Sequence, residues 1–164
     1  MATITTLASQ GTGHQNRTNK RTPYLTEAYI DFAAATTAKG TALAAADVIE
    51  AIKLPAGTWV LAAGLQKVGA MTGSSTDLTL DFGVTGVNAD AYVDGWDFDA
   101  AAVEAFAASP TTANEVTVVA STDTIDILIA TQTGTLTGGV VRAWAIVQDI
   151  SNLNDRPTIA QRKS

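Results

Sequence analysis

The chain of 164 residues suits a single domain with a substantial core. It has no cysteine, which excludes disulfides, thiolate metal sites and cysteine nucleophiles. Charged residues make up only 16% of it, so much of the exterior must be Thr, Ser, Asn, Gly and Ala, a surface suited to burial against neighbours.

Those few charges are segregated. Arg17, Lys20, Arg21, Arg156, Arg162 and Lys163 are six of the ten basic residues, and all lie near the ends. Residues 24–154 keep Lys39, Lys53, Lys67 and Arg142 against fifteen of the sixteen carboxylates, giving about −11 on the body and +5 on the end segments. An acidic body argues against nucleic acid as the main partner. No apolar run approaches the ~18 residues that span a bilayer, and the N-terminus has no signal-like apolar stretch, so nothing asks for a membrane. Basic ends on an acidic body describe a module whose arms dock onto copies of itself or onto a larger assembly.

In chain order, residues 1–22 mix Thr, Gly, Gln, Asn and basic residues without an apolar period and form a basic arm that orders on docking. The ordered domain then covers residues 23–150. Residues 28–35 (AYIDFAAA) alternate as a strand with one bulky face. Residues 47–54 (DVIEAIKL) are rich in β-branched side chains, and Pro55-Ala56-Gly57 supplies a turn into a returning strand over 58–68, so a hairpin is expected there. Residues 76–82 (TDLTLDF) place Leu78, Leu80 and Phe82 inward. A long acidic loop follows over 83–99, after which Asp99 can cap a short helix through 100–108 that Pro110 ends. Residues 115–120 and 123–131 form the next strand pair, with Ile125, Ile127 and Ile129 on one face. Residues 133–139 are a turn-rich link. The last strand, 140–148 (VVRAWAIVQ), is apolar on both faces and so can be covered on both sides. Residues 151–164 lose periodicity and make a second polar, basic tail. Seven or eight strands with one helical insertion define an all-β, antiparallel sandwich; eight strands in two sheets would be a jelly roll.

Little in the chain can do chemistry. The sole histidine, His14, lies in the arm, far in sequence from a hydroxyl or carboxylate that would need a base. No nucleophile elbow, phosphate-binding loop or zinc-protease motif occurs, and no catalytic residue is assigned. Asp90, Asp94, Asp97 and Asp99 could supply oxygen ligands, yet their spacing departs from a dedicated calcium loop, so no metal or cofactor is expected. The same loop carries Tyr92 and Trp96, so Asp90, Tyr92, Asp94, Trp96 and Asp97 form a possible contact for a sugar or another subunit. Tyr29, Phe32, Trp59, Phe82 and Trp144 occupy strand positions and are assigned to the core. An enzyme is not expected; a carbohydrate-binding module is the alternative to an assembly protein.

Several runs carry a resemblance. Residues 47–60 (DVIEAIKLPAGTWV), 80–83 (LDFG), 88–95 (NADAYVDG), 121–127 (STDTIDI) and 135–143 (TLTGGVVRA), in this order and spacing, resemble small structural proteins of tailed-bacteriophage virions. The resemblance implies a β-sandwich that decorates or cements the capsid exterior, assembles in the host cytoplasm, forms a homotrimer, and has the phage major capsid protein as partner. It is shared with other jelly-roll virion components, including major capsid subunits, head-fibre bases and tail proteins. On this reading Arg17, Lys20, Arg21, Arg156 and Arg162 dock onto the shell or neighbouring subunits.

Overall fold

Alternating apolar residues require each strand to bury one side, and here two sheets do so against each other. The computed structural model describes residues 2–5, 22–110 and 119–150. The elements are β1 (Thr3–Thr5), β2 (Tyr24–Asp31), α1 (Phe32–Lys39), β3 (Val48–Leu54), β4 (Thr58–Gly73), β5 (Asp77–Val84), β6 (Asn88–Asp97), β7 (Phe106–Pro110), β8 (Asp123–Thr133) and β9 (Leu136–Asp149). One sheet runs β1-β3-β8-β5-β6 and the other β2-β9-β4-β7. Every pairing is antiparallel except β1 with β3. Without β1 these are the two four-stranded sheets of a jelly roll, and only β5 and β6 are consecutive strands within one sheet.

The core joins unequal surfaces. The five-stranded sheet contributes Ile49, Ile52, Leu78, Leu80, Phe82, Ile125, Ile127 and Ile129. The four-stranded sheet answers with the alanines Ala28, Ala63, Ala143 and Ala145 set among Ile30, Val60, Leu65, Val141 and Val147. The alanines leave room for the larger side chains of the facing layer, as close packing requires.

Four local expectations are corrected. Residues 28–35 are not one strand: Asp31 ends β2 and caps α1, its carboxylate accepting the Ala33 N–H at 2.8 Å, and Gly40 closes the helix at φ 77°. Phe32 is therefore a helix residue, though still buried.

The expected hairpin across Pro55–Gly57 is a corner between sheets, because β3 pairs with β8 while β4 pairs with β9 and β7. The turn forms, with Gly57 at φ 80° and the Thr58 N–H on the Pro55 carbonyl. Turn residues fix a bend; which strands then pair is set by where each buries its apolar face.

The loop expected over 83–99 contains strand β6. Its alternation is hidden by a bulge, with Leu80 opposite Trp96 but Phe82 opposite Val93, and Gly95 in the left-handed region at φ 59°.

No helix forms over 100–108. Lys67, buried on β4, donates to the carbonyls of Phe98 (2.6 Å), Asp99 (3.4 Å) and Ala101 (2.8 Å), capturing oxygens a helix would use, and Asp99 accepts the Leu78 N–H instead of capping. The segment becomes a clamped turn leading into β7.

The strand expected over 115–120 falls outside the described residues except Val119 and Ala120, which are not strand. Val119 braces the corner, exchanging bonds with Gly57 and Thr58. Within the first segment, Thr3–Thr5 lie parallel to β3 and Ile4 enters the core, so these residues are part of the sandwich.

Candidate assembly interfaces

The two sheets present opposite chemistry outward. On the four-stranded sheet, register sets side chains in rows: Leu25–Ile146–Ala62, then Glu27–Trp144–Gly64–Ala108, then Tyr29–Arg142–Gln66–Phe106. Of the six exposed large hydrophobic residues among those described, four stand on this face: Leu25 (42% exposed), Tyr29 (46%), Phe106 (60%) and Ile146 (37%). Trp144 lies over Gly64, where a Cβ would come 2.9 Å from its Cζ2 and 2.6 Å from the Ala107 carbonyl. The charged and amide groups here are tied to one another, while the Trp144 indole N–H is buried without a partner. Arg142 donates to Glu27 (Nε, 2.8 Å) and to Gln66 Oε1 (3.0 Å), and Gln66 Nε2 donates to Glu104 (2.8 Å). A partner covering this face meets apolar groups around charges that are already satisfied, so the cost of burying them is reduced.

The five-stranded sheet turns hydroxyls and carboxylates outward. Thr79 and Thr131 share a hydrogen bond of 2.7 Å, and Asp77 accepts from Thr131. Glu50 stands directly opposite Asp126, which is 5% exposed, and Asp126 is opposite Gly83 on β5. The Asp126 carboxyl is pushed above its ordinary range by burial, and the Glu50 charge adds to this against hydrogen bonds from Thr124 and Thr85. One of its oxygens, Oδ1, is buried without a hydrogen-bond partner. Asp81 accepts the Gly95 N–H at 2.7 Å, yet burial and the charges of Asp94 and Asp90 still raise its pKa.

Of the body's four positive charges, Lys53 stands exposed on β3 of this sheet, opposite Thr124, and the other three are engaged elsewhere. Lys39 pairs with Asp47, which also accepts from the Ala44 and Ala2 N–H groups. Burial alone would raise the Asp47 pKa, but these bonds and the Lys39 charge together hold it below the ordinary range. Lys67 is buried over the Phe98 ring, 4.6 Å from its centroid, with its pKa lowered by burial despite the charges of Asp99 and Asp97. Arg142 serves the opposite face.

The residues singled out from sequence separate accordingly. Asp90, Asp94 and Asp97 are exposed along β6, and among the described residues no three carboxylates or histidines come together as a metal-holding group. Tyr92 is buried against Phe82, ring centroids 6.1 Å apart, and Trp96 stacks edge-on with Phe98 at 5.5 Å. These aromatics line the interior side of β6 rather than an open platform. Arg17, Lys20, Arg21, Arg156 and Arg162 lie outside the described residues. Of the residues assigned to the core, Tyr29 is outward, while Trp59 and Trp144 are half-buried. The outer face of β9 (Val140, Arg142, Trp144, Ile146) was readable from its two-sided apolar pattern; Leu25 and Phe106 carried no comparable signal.

No protein-family model matches the chain, and no curated protein matches it significantly. Solved structures do. A chain from the capsid of Ralstonia phage GP4 is similar at a TM-score of 0.60, covering 90% of this chain and 97% of that one at 16% identity. A chain of the cyanophage Pam1 capsid asymmetric unit is similar at 0.53, covering 84% and 87% at 17% identity. At these identities the likeness is one of fold, shared with chains found in two phage capsids.

Proposed function

We propose that this chain is a non-enzymatic capsid component of a tailed phage, a decoration or cement protein that packs the outer face of β2-β9-β4-β7 on the head shell. The observation carrying this is that face: four large exposed hydrophobics around an internally satisfied ion pair, a surface suited to burial. The shared fold with chains in phage capsids supports the setting. The shell contact is with the major capsid protein on the capsid exterior, after assembly in the host cytoplasm, and the functional unit is a homotrimer. Arg156 and Arg162, in the segment beyond β9, add charge contacts to the shell. Many copies on one lattice allow each contact to be weak.

The test uses heads assembled without this chain. Wild-type protein should co-sediment with them saturably, and a Tyr29→Glu/Phe106→Glu variant should bind at least about tenfold more weakly while keeping its urea midpoint. Equal binding of the two proteins, or no binding of wild type, would sink the reading.

A further inference from the structure

We infer that the β7 end of the four-stranded sheet's outer face receives a basic side chain of the partner, an arginine held between the Glu104 carboxylate and the Phe106 ring. The inference rests on the reading of this face as the contact with the shell, and it names the chemistry the shell must bring there.

The polar row that crosses this face is closed in hydrogen bonds but not in charge. Glu27, on β2, and Arg142, on β9, form an ion pair, and Arg142 also donates to Gln66 on β4. Gln66 in turn donates to Glu104, just before β7. Two carboxylates therefore share one guanidinium, which leaves one negative charge over. Arg142 spends its Nε and one terminal nitrogen on Glu27, so Glu104 meets the neutral amide of Gln66 at the far end of the row. The other cations of the body stand elsewhere: Lys39 pairs with Asp47, Lys67 turns its ammonium to the 98–101 carbonyls, and Lys53 belongs to the other sheet. Water meets the Glu104 charge while the face is open. Once an apolar partner covers the face, a cation must take that place or the burial is costly.

The surroundings suit a guanidinium in particular. Phe106 is 60% exposed, and its register partner on β4 is Gln66, so ring and carboxylate flank the same amide. An arginine can lay its plane on an aromatic ring while its N–H fork takes a carboxylate; a lysine has no plane to lay. The backbone gives an independent sign. Glu104 has φ 71°, in the left-handed region that favours glycine, and is held there by its N–H on the Lys67 carbonyl (2.7 Å) and the Lys67 N–H on the Ala105 carbonyl (2.9 Å). A side chain in that conformation carries a cost that glycine would not. The residue that stands there puts a carboxylate beside the most exposed ring of the face.

The experiment measures co-sedimentation with heads assembled without this chain, for wild type, Glu104→Gln, Phe106→Leu and the double variant. Glutamine keeps an acceptor for Gln66 and removes the charge, and both positions are exposed, so every variant should keep the wild-type urea midpoint. In about 0.05 M salt Glu104→Gln should bind about fivefold more weakly, and the deficit should shrink below about twofold in 0.5 M salt, where the Debye length is about 4 Å. Phe106→Leu stays apolar and should also weaken binding. The double variant should bind within about twofold of the weaker single one, because both residues act on one cation. Binding by Glu104→Gln as tight as wild type, a loss that salt does not diminish, or fully additive losses would each overturn the arginine contact. The Tyr29→Glu/Phe106→Glu comparison would then still decide the shell contact by itself, whereas no binding by wild type would overturn both.

Discussion

The outer faces of the two sheets invert each other. One puts Leu25, Tyr29, Phe106 and Ile146 into water and closes its charges into a Glu27–Arg142–Gln66–Glu104 network. The other keeps its hydrophobics inside and gathers carboxylates, Asp81 beside Asp90 and Asp94 and Asp126 opposite Glu50, which push the Asp81 and Asp126 carboxyls above their ordinary range along with burial. An exposed apolar face is a surface suited to burial, and a face rich in carboxylates is suited to selecting what approaches it, so the two sides of the sandwich offer different kinds of contact.

The largest effect should come from the joint that holds the faces in this relation. Lys67, on the four-stranded sheet, ties down the turn through which the chain leaves β6 and enters β7 in the other sheet. Lys67→Ala removes the donor for three carbonyls and uncovers Phe98, and should cost about 3–5 kcal/mol in urea unfolding. Lys67→Met keeps the bulk and should recover part of that loss. A cost below about 1 kcal/mol for the alanine variant would mean the turn holds without it.

Next in size is a change that distorts the apolar face alone. Gly64→Val places a branched side chain where a single Cβ already meets the Ala107 carbonyl at 2.6 Å and the Trp144 ring at 2.9 Å. Backbone cannot yield as a side-chain tip can, so β7 must lift or Trp144 swing out. The expected cost is about 1–3 kcal/mol in urea unfolding, with weaker binding to heads. Unchanged binding to heads would show that this face is not the one that meets them.

Much of this architecture was legible because strand periodicity is written locally. Ile125, Ile127 and Ile129, or Leu78, Leu80 and Phe82, announce a buried face without reference to the rest of the chain, and the outer face of β9 could be read from Trp144 and Ile146. What stayed hidden depended on distant partners. The corner at Pro55–Gly57 looks like a hairpin until β8 and β9 compete for its strands. The stretch after Asp99 looks helical until Lys67, 31 residues before Phe98, takes the carbonyls of the 98–101 turn. The β6 bulge masks alternation, so Tyr92 and Trp96 pass for loop aromatics. Asp31 and Gly40 did bracket α1 by ordinary capping rules, a signal outweighed by the alternation before it. The acidic character of one face was visible as composition, but its placement on one side of one sheet required the register.

The smallest effect should fall on the acidic face, and its sign is unusual for a buried polar group. Asp126 has a folded-state pKa raised above its unfolded value, so its ionised form is disfavoured in the native protein. Its contribution is most favourable at low pH, where both states are protonated or the native state holds the proton, and is lost as pH rises through the raised folded value. At pH 7 the native state therefore carries the penalty of a buried carboxylate opposite Glu50. Asp126→Asn keeps an acceptor for the Thr85 N–H and removes the charge, so it should be neutral or stabilising by up to about 1 kcal/mol at pH 7. The gain should shrink as the pH falls toward the carboxylate range, which parallel urea titrations at pH 7 and near pH 4.5 will register.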